Sequence, residues 1–570
     1  MKQVTHKPQG TSLLKSIAAL TKKYFYFVGC LSFFINFAML TVPLYMLQLY
    51  DRVLTSRNGD TLLFLTLAAV FMLIVLGVLE LIRSRILVRI GRWLDEQLRG
   101  WLMHLTLTTG KDSQVIRDLD EYRNFLAGPG LLALLDAPWT PLFIIAVFVL
   151  HPLLGIVALV GALILSILAV ANELVTRKIL SEAGGHAAMA NRFADQAARN
   201  SEVIRAMAMS GPLIGLWEKH RGKATELQTI GSDRAGVISA VAKIIRLGLQ
   251  VAILGTGGWL AMNELVSPGV MIAASIIMGR ALAPIEMAIG AWRSVISTRN
   301  AYKRLNDFLE ENPAKSESMS LPAPEGSLSV SGLTYFVPGR ESPILNNISF
   351  ELKSGESLGI TGPSAAGKST LARMLVGALN PTKGAVKIDG FDLNAWNRAE
   401  LGEHIGYLPQ DVELFEGAIN ENIARFNEFD PGDVIEAAKI ANIYEMIALL
   451  KEGFDTHIAA GGVTLSGGQR QRVALARASY KIPAIIVLDE PSSNLDTEGE
   501  HALRSTIEKL KQKGSTVVVV THRPQLLAHV DKVLVVQEGN NAMFGDAENV
   551  LAQIARPIAG LPAQQGGQNA

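Results

Sequence analysis

The sequence almost lacks cysteine. Its single thiol, Cys30, excludes an intramolecular disulfide framework and a zinc cluster built on cysteines. Charge is scarce as well: Asp, Glu, Lys and Arg make up 18% of the 570 residues, against about 25% in an ordinary soluble protein. Neither sign dominates, since 53 Lys+Arg against 52 Asp+Glu leave a net +1, so no global field attracts nucleic acid. What is present is apolar. The hydrophobic fraction is 49% and the mean hydropathy +0.27, which excludes disorder as the dominant state and describes a chain that is part membrane and part soluble. The length argues against one compact domain.

The apolar residues fall in the first half. A membrane-spanning helix needs about 20 mostly apolar residues. Tyr24 to Tyr50 is 27 residues without a charge, and Thr61 to Leu79 is 19. Ala137 to Asn172 is 36, enough for two spans, with His151-Pro152 as a break near the middle. Leu247 to Asn263 gives 17 and Leu265 to Gly279 gives 15, after which Arg280 and Glu286 interrupt. Six spans are expected, at about 24–50, 61–82, 131–150, 153–172, 244–263 and 265–290. The first follows a Lys-rich start, but it is far longer than the 7–15 residues (about) of a secretory h-region, so a retained helix is expected. Cys30 and Asp136 are read as bundle residues, and Pro43, Pro138 and Pro141 as kinks.

Basic residues orient the spans. The start carries five Lys, segment 83–130 eight Lys or Arg and segment 173–246 eleven, while segment 263–268 and His151-Pro152 carry none. The alternation places both ends of this half in the cytoplasm. Within segment 83–130, Ile86, Ile90, Trp93/Leu94, Leu98 and Trp101/Leu102 recur at helical spacing, so the membrane helices are expected to continue beyond the bilayer. The domain reading is a cytoplasmic segment 1–23, a membrane domain 24–310, a Pro- and Ser-rich linker 311–326, an α/β domain 327–555 and a disordered tail 556–570.

The second half carries phosphate chemistry. The short strand candidate Leu358-Gly359-Ile360-Thr361 runs into Gly362-Pro363-Ser364-Ala365-Ala366-Gly367-Lys368-Ser369-Thr370, which fits G-x-x-x-x-G-K-[ST]. The glycines let the backbone curl so that its N–H groups face phosphate oxygens, and the following helix offers its positive end. Lys368 is expected to reach the β- and γ-phosphates of a nucleotide and the Ser369 hydroxyl to ligate Mg²⁺. Ile485-Ile486-Val487-Leu488-Asp489-Glu490 reads as a buried strand ending in two acids. Asp489 is expected at the Mg²⁺ and Glu490 at the attacking water.

Leu465-Ser466-Gly467-Gly468-Gln469 precedes that strand by about twenty residues. With it the domain resembles the nucleotide-binding domain of an ABC transporter. Gln410, in Tyr407-Leu408-Pro409-Gln410, matches the Q-loop, implied at the Mg²⁺ and the water. Ser493-Asn494-Leu495-Asp496 matches the D-loop and His522 the switch histidine. The resemblance implies a six-helix, all-α exporter membrane domain followed by an α/β P-loop domain. It implies a homodimer in which Ser466, Gly467, Gly468 and Gln469 of one copy meet the ATP held by the other. Val337 lines up best with the position at which exporters stack an aromatic on adenine, which leaves Tyr335 or Phe336 for that role, and Ala459-Ala460-Gly461-Gly462 lacks the acid that exporters often carry before the signature.

The segments 43–54 (Pro43-Leu44-Tyr45 through Leu54) and Leu135-Asp136-Ala137-Pro138-Trp139-Thr140-Pro141 resemble the PrtD-like permease/ATPases of bacterial type I secretion. That resemblance implies an inner-membrane pump working with a periplasmic membrane-fusion adaptor and an outer-membrane TolC-like channel. Its cargo would be a secreted protein with an uncleaved C-terminal signal. A lipid or drug exporter shares the architecture. A soluble ABC ATPase acting on nucleic acid is disfavoured by the six spans, and a P-loop kinase by Leu465 to Gln469.

Overall fold

A computed structural model describes residues 13–110, 114–312, 321–337, 339–459, 465–493 and 497–554. The chain divides into two units, Met1–Ala314 and Lys315–Ala570. Half of the expected linker, 313–320, lies outside the described residues, and the tail wholly so.

The first unit is all-α. Among the described residues six helices are long and apolar enough to cross a membrane: Ala19–Ser56, Gly59–Thr109, Pro129–Leu150, Pro152–Arg199, Ser210–Met262 and Pro268–Glu311. They run well past the charge-free segments. The second has 51 residues, about 76 Å at 1.5 Å per residue. A charge-free run marks only what the bilayer tolerates; the helical periodicity continues beyond it. The two basic inner segments are accordingly mostly helix.

Local chemistry sets the breaks. The Asn58 side chain accepts from Asp60 N (2.9 Å) and Thr61 N (3.1 Å) to start the second helix. Pro152 begins the fourth, with His151 Nδ1 accepting from Leu153 N at 3.2 Å. Pro268 begins the sixth, capped by Ser267. The first span is jointed: helices Leu13–Ala38 and Thr41–Gln48, then a π-helical turn Leu49–Val53. That turn presents Asp51, whose carboxylate accepts from Ser267 Oγ (2.5 Å) and Gly269 N (3.0 Å). A Cβ at position 269 would stand 2.3 Å from Asp51 Oδ1, so the contact requires glycine.

Asp136 is buried, as expected of an acid kept away from lipid, and its partner is Arg83 at 2.7 Å. Asn36 Nδ2 donates to the same carboxylate at 3.1 Å, and Arg83 donates to Ser32 Oγ at 3.1 Å. Three spans are tied by this cluster. Arg83 had counted only as a basic loop residue; it is a core residue. Cys30, expected to pack between helices, is exposed on its helix instead. Arg280 is exposed too. Further along, Arg304 grips the buried Asp118 with two hydrogen bonds of 2.8 and 2.7 Å.

Among its described residues the second unit has twelve strands: β1 Leu328–Tyr335, β2 Leu345–Leu352, β3 Ser357–Thr361, β4 Lys383–Ile388, β5 Phe391–Asp392, β6 Ile405–Leu408, β7 Gly417–Ala418, β8 His457–Ile458, β9 Ile485–Asp489, β10 Thr516–Val520, β11 Lys532–Gln537 and β12 Asn540–Asp546. One sheet has the order β2-β1-β4-β5 and is antiparallel. The larger has the order β12-β11-β3-β10-β9-β6, parallel except at β12. Every residue of β9 and β10 is buried, because helices cover both faces of a parallel sheet, while β2 alternates buried and exposed. At the start of β3, Asp531 accepts from Ser357 N (2.9 Å), Ser357 Oγ (2.8 Å) and Lys511 Nζ (2.6 Å).

Two outcomes are expected. Arg83→Met leaves the buried Asp136 without its cation, with only Asn36 still donating to it, and should cost about 3–5 kcal/mol; adding Asp136→Leu should recover most of it. Thermal unfolding of the micelle-bound protein reads both, and equal losses in single and double variants would refute a charge origin. For Asp531, burial raises the carboxyl, but the bonds from Lys511 and Ser357 outweigh it and hold it below its ordinary value. A depressed carboxylate stabilises above its unfolded value and loses that contribution as pH falls through its folded one. Asp531→Asn should therefore cost about 1 kcal/mol near neutrality, solvent screening included, and nothing in strong acid.

Candidate active site

The parallel sheet brings the motifs to one edge. β3 lies between β11 and β10, and β10 beside β9, with Val520 opposite both Ile360 and Asp489. The strands therefore end level. Thr521 N donates to Ile360 O (3.0 Å) and Glu490 N to Val520 O (3.0 Å), so the segments beyond the strands remain stitched for one more residue. The phosphate-binding loop, the acid pair and the turn holding His522 all leave this edge.

The loop after β3 needs its glycines. Gly362 has φ +147°, and a Cβ there would stand 2.0 Å from Val536 O. Gly367 has φ +97°, and a Cβ would meet Leu345 Cδ2 at 2.7 Å. Ser364 and Ala365 are exposed at the tip, with Ala365 at φ +65°, and Ala366 is buried. The helix Lys368–Leu375 then begins. Lys368 curls back: its Nζ donates to Gly362 O and Pro363 O, both at 2.8 Å, and the residue is 9% exposed. An ammonium has three donors, so one is left for an anion. Thr370 is half-buried in the helix behind it.

Ser369 Oγ donates to Asp489 Oδ1 at 3.1 Å, joining two residues 120 apart in the chain. Burial pushes the Asp489 carboxyl above its ordinary value. Glu490 adds to that, while the Ser369 hydrogen bond and the charges of Arg373 and Lys368 oppose it. A hydroxyl and a buried carboxylate beside a second carboxylate form a set of hard oxygen donors, which a divalent cation satisfies. Glu490 has φ +47°, a left-handed conformation rare for a side chain of its type. Such strain persists where the surroundings over-determine it. Gln410 Nε2 donates to Glu490 Oε2 at 3.2 Å.

Ser466 caps the helix Gly467–Ser479 through a reciprocal box: Gln469 N donates to Ser466 Oγ (3.3 Å) and Ser466 N to Gln469 Oε1 (2.9 Å). Gly467 and Gly468 are the first residues of that helix. Tyr335 closes β1 opposite Leu345, the residue that crowds Gly367. It is half-buried, as are Phe336 and Val337. His522 is exposed just past β10. The structure thus assembles Lys368, Ser369, Asp489, Glu490 and Gln410 through hydrogen bonds or shared electrostatics. It leaves Ser466, Gly467 and Gly468 without a described hydrogen bond to the phosphate loop, among the described residues. Asn494, Leu495 and Asp496 of the expected D-loop, and Ala460 to Gly462, lie outside them.

Three residues were not anticipated. Arg373 follows Ser369 by four positions, so it shares its helix face, and it hydrogen-bonds Tyr407. Burial, with the Asp489 charge, raises the Tyr407 hydroxyl, and Arg373 opposes both. Gln471 is buried and donates to Pro491 O at 2.5 Å, tying the signature helix to the acid pair. The i, i+4 spacing was the available signal for Arg373; nothing in the sequence singled out Gln471.

A sequence model described as ABC transporter matches residues 345–493. The chain is 42% identical over 541 residues to the type I secretion system ATP-binding protein PrsD of Rhizobium meliloti, covering 93% of this chain and 92% of that one. It is 31% identical over 550 residues to the leukotoxin translocation ATP-binding protein LktB of Mannheimia haemolytica, covering 93% and 76%. A solved bacterial Atm1-family ABC exporter with ATP bound matches in fold with a TM-score of 0.75, at 22% identity, over 94% of this chain and 97% of that one. With the P-loop edge, the six spans and relatives aligned over nearly the whole chain, the protein belongs to the ABC transporters, in the group of type I secretion ATP-binding proteins, and is a multi-pass membrane ATPase.

Proposed function

We propose that the chain is the inner-membrane pump of a type I secretion conduit, acting as a homodimer that exports a protein with an uncleaved C-terminal signal. The observation that carries this reading is that the likeness to PrsD extends over 92% of that protein, membrane half included. Its amino terminus and ATPase domain face the cytoplasm, on the strength of the basic inner segments. A periplasmic adaptor and an outer-membrane TolC-like channel complete the path.

In each copy, Lys368 and the backbone of Gly362 to Gly367 bind the phosphates, with Ser364, Ala365 and Ala366 shaping the loop and Thr370 closing it. Ser369, Asp489 and Gln410 are the oxygen donors for Mg²⁺, which, when bound, neutralises phosphate charge. Glu490 accepts the proton of the attacking water, and Gln410, already hydrogen-bonded to it, holds it in place. His522 leaves the same edge and senses the γ-phosphate. Tyr335, beside the loop, contacts adenine. Ser466, Gly467, Gly468 and Gln469 close on the nucleotide of the second copy, where a helix N-terminus suits an anion.

Glu490→Gln should bind ATP like the wild type and lose at least about a hundredfold in turnover, the usual yield of a positioned base. Wild-type turnover would remove Glu490 from that role. Gly362→Ala should abolish nucleotide binding, because the loop must move off Val536 O; retained affinity would show that the loop has another conformation to use. The whole reading is tested by co-expressing the chain with an adaptor, an outer channel and a reporter bearing a C-terminal secretion signal. Reporter in the medium with the wild type but not with Glu490→Gln is expected. Retention despite active ATPase and an assembled conduit would overturn protein export and favour a lipid or drug substrate.

A further inference from the structure

Between the fourth and sixth spans lies a cavity of about 860 Å³, within the size range of small-molecule sites. It belongs to neither the nucleotide edge nor any motif. Its position is set by the sequence. The charge-free run that ends at Asn172 stops one residue before Glu173, so the cavity straddles the point where the fourth span leaves its apolar segment. One side is apolar, lined by Val170 and Val295. The other carries Arg177, Arg299 and Lys303 against the single carboxylate of Glu173, a net charge of two positive.

That carboxylate is already engaged. Trp292 Nε1 donates to Glu173 Oε2 at 2.6 Å, and Arg177 and Arg299 stand 3.7 and 3.6 Å from Oε1. Lys303 has no ion-pair partner among the described residues. The lining therefore grades from apolar to cationic over a few turns, with an indole at the join, where tryptophan sits at membrane–water boundaries. Val170 is 60% exposed and Leu174 75%, so the apolar side opens outward from this chain's bundle.

We propose that this cavity binds an anionic phospholipid, its phosphate among Arg177, Arg299 and Lys303 and its chains along Val170 and Val295. Basic pockets between membrane helices recognise acidic headgroups in this way. A polypeptide fits less well: its amides would meet the apolar wall without hydrogen-bond partners, whereas an acyl chain needs none.

The test uses the full chain in phosphatidylcholine vesicles containing a small fraction of lipid brominated on its chains, either phosphatidylglycerol or phosphatidylcholine. The fluorescence lost between wild type and Trp292→Phe isolates Trp292. Brominated phosphatidylglycerol should quench that component at far lower mole fraction, on the order of thirtyfold for two net charges. Arg177→Gln with Lys303→Gln, both exposed and so tolerable to the fold, should abolish the preference. Equal quenching by the two lipids would overturn the proposal using wild type alone. So would a preference that survives the double variant, or no quenching by either lipid, which would mean a second copy covers the cavity.

Discussion

Everything the motor does depends on a few strands that water does not reach. β9 and β10 are buried at every residue, and β3 at all but its last. Burial on both faces leaves no freedom of register, because any slip would expose a polar backbone or move an apolar side chain to the wrong place. The level ends follow, and with them the convergence of Lys368, Ser369, Asp489 and Glu490. The strain at Glu490 is held by the same lattice: its N–H completes the ladder to Val520 O, so the left-handed turn is fixed by the strand before it.

The site so built is electrostatically unfinished. Asp489 is buried beside another carboxylate, with a hydroxyl and nearby cations opposing that cost. Gln410 has already found Glu490, and Arg373, hydrogen-bonded to Tyr407, sets its positive charge near Asp489. These partners hold the donors near one another before any ligand arrives, which lowers the ordering cost of binding.

The membrane half is arranged around a different difficulty. Helices in lipid gain little from apolar contact, so polar ties and close approach hold them. Arg83, Asp136, Asn36 and Ser32 supply one such tie, and Asp51 on the sixth-span start supplies another. The second exists only because position 269 is glycine. The cavity of the fourth and sixth spans belongs to this logic too, a polar feature placed where the apolar segment stops.

Much of this was legible in the chain itself. Length and charge-free runs determined that there are six spans, and the spacing from Gly362 to Thr370 determined a phosphate loop, because both signals are local: one counts residues against a bilayer, the other needs adjacent backbone N–H groups. Apolar runs in the second half determined the α/β class. What the sequence did not carry were pairings across long separations. That Ser369 meets Asp489, that Arg83 is buried against Asp136, that Gln471 reaches Pro491 and that Cys30 faces outward were decided by tertiary structure. A basic residue in a loop and one in a core look alike until packing removes the water around one of them.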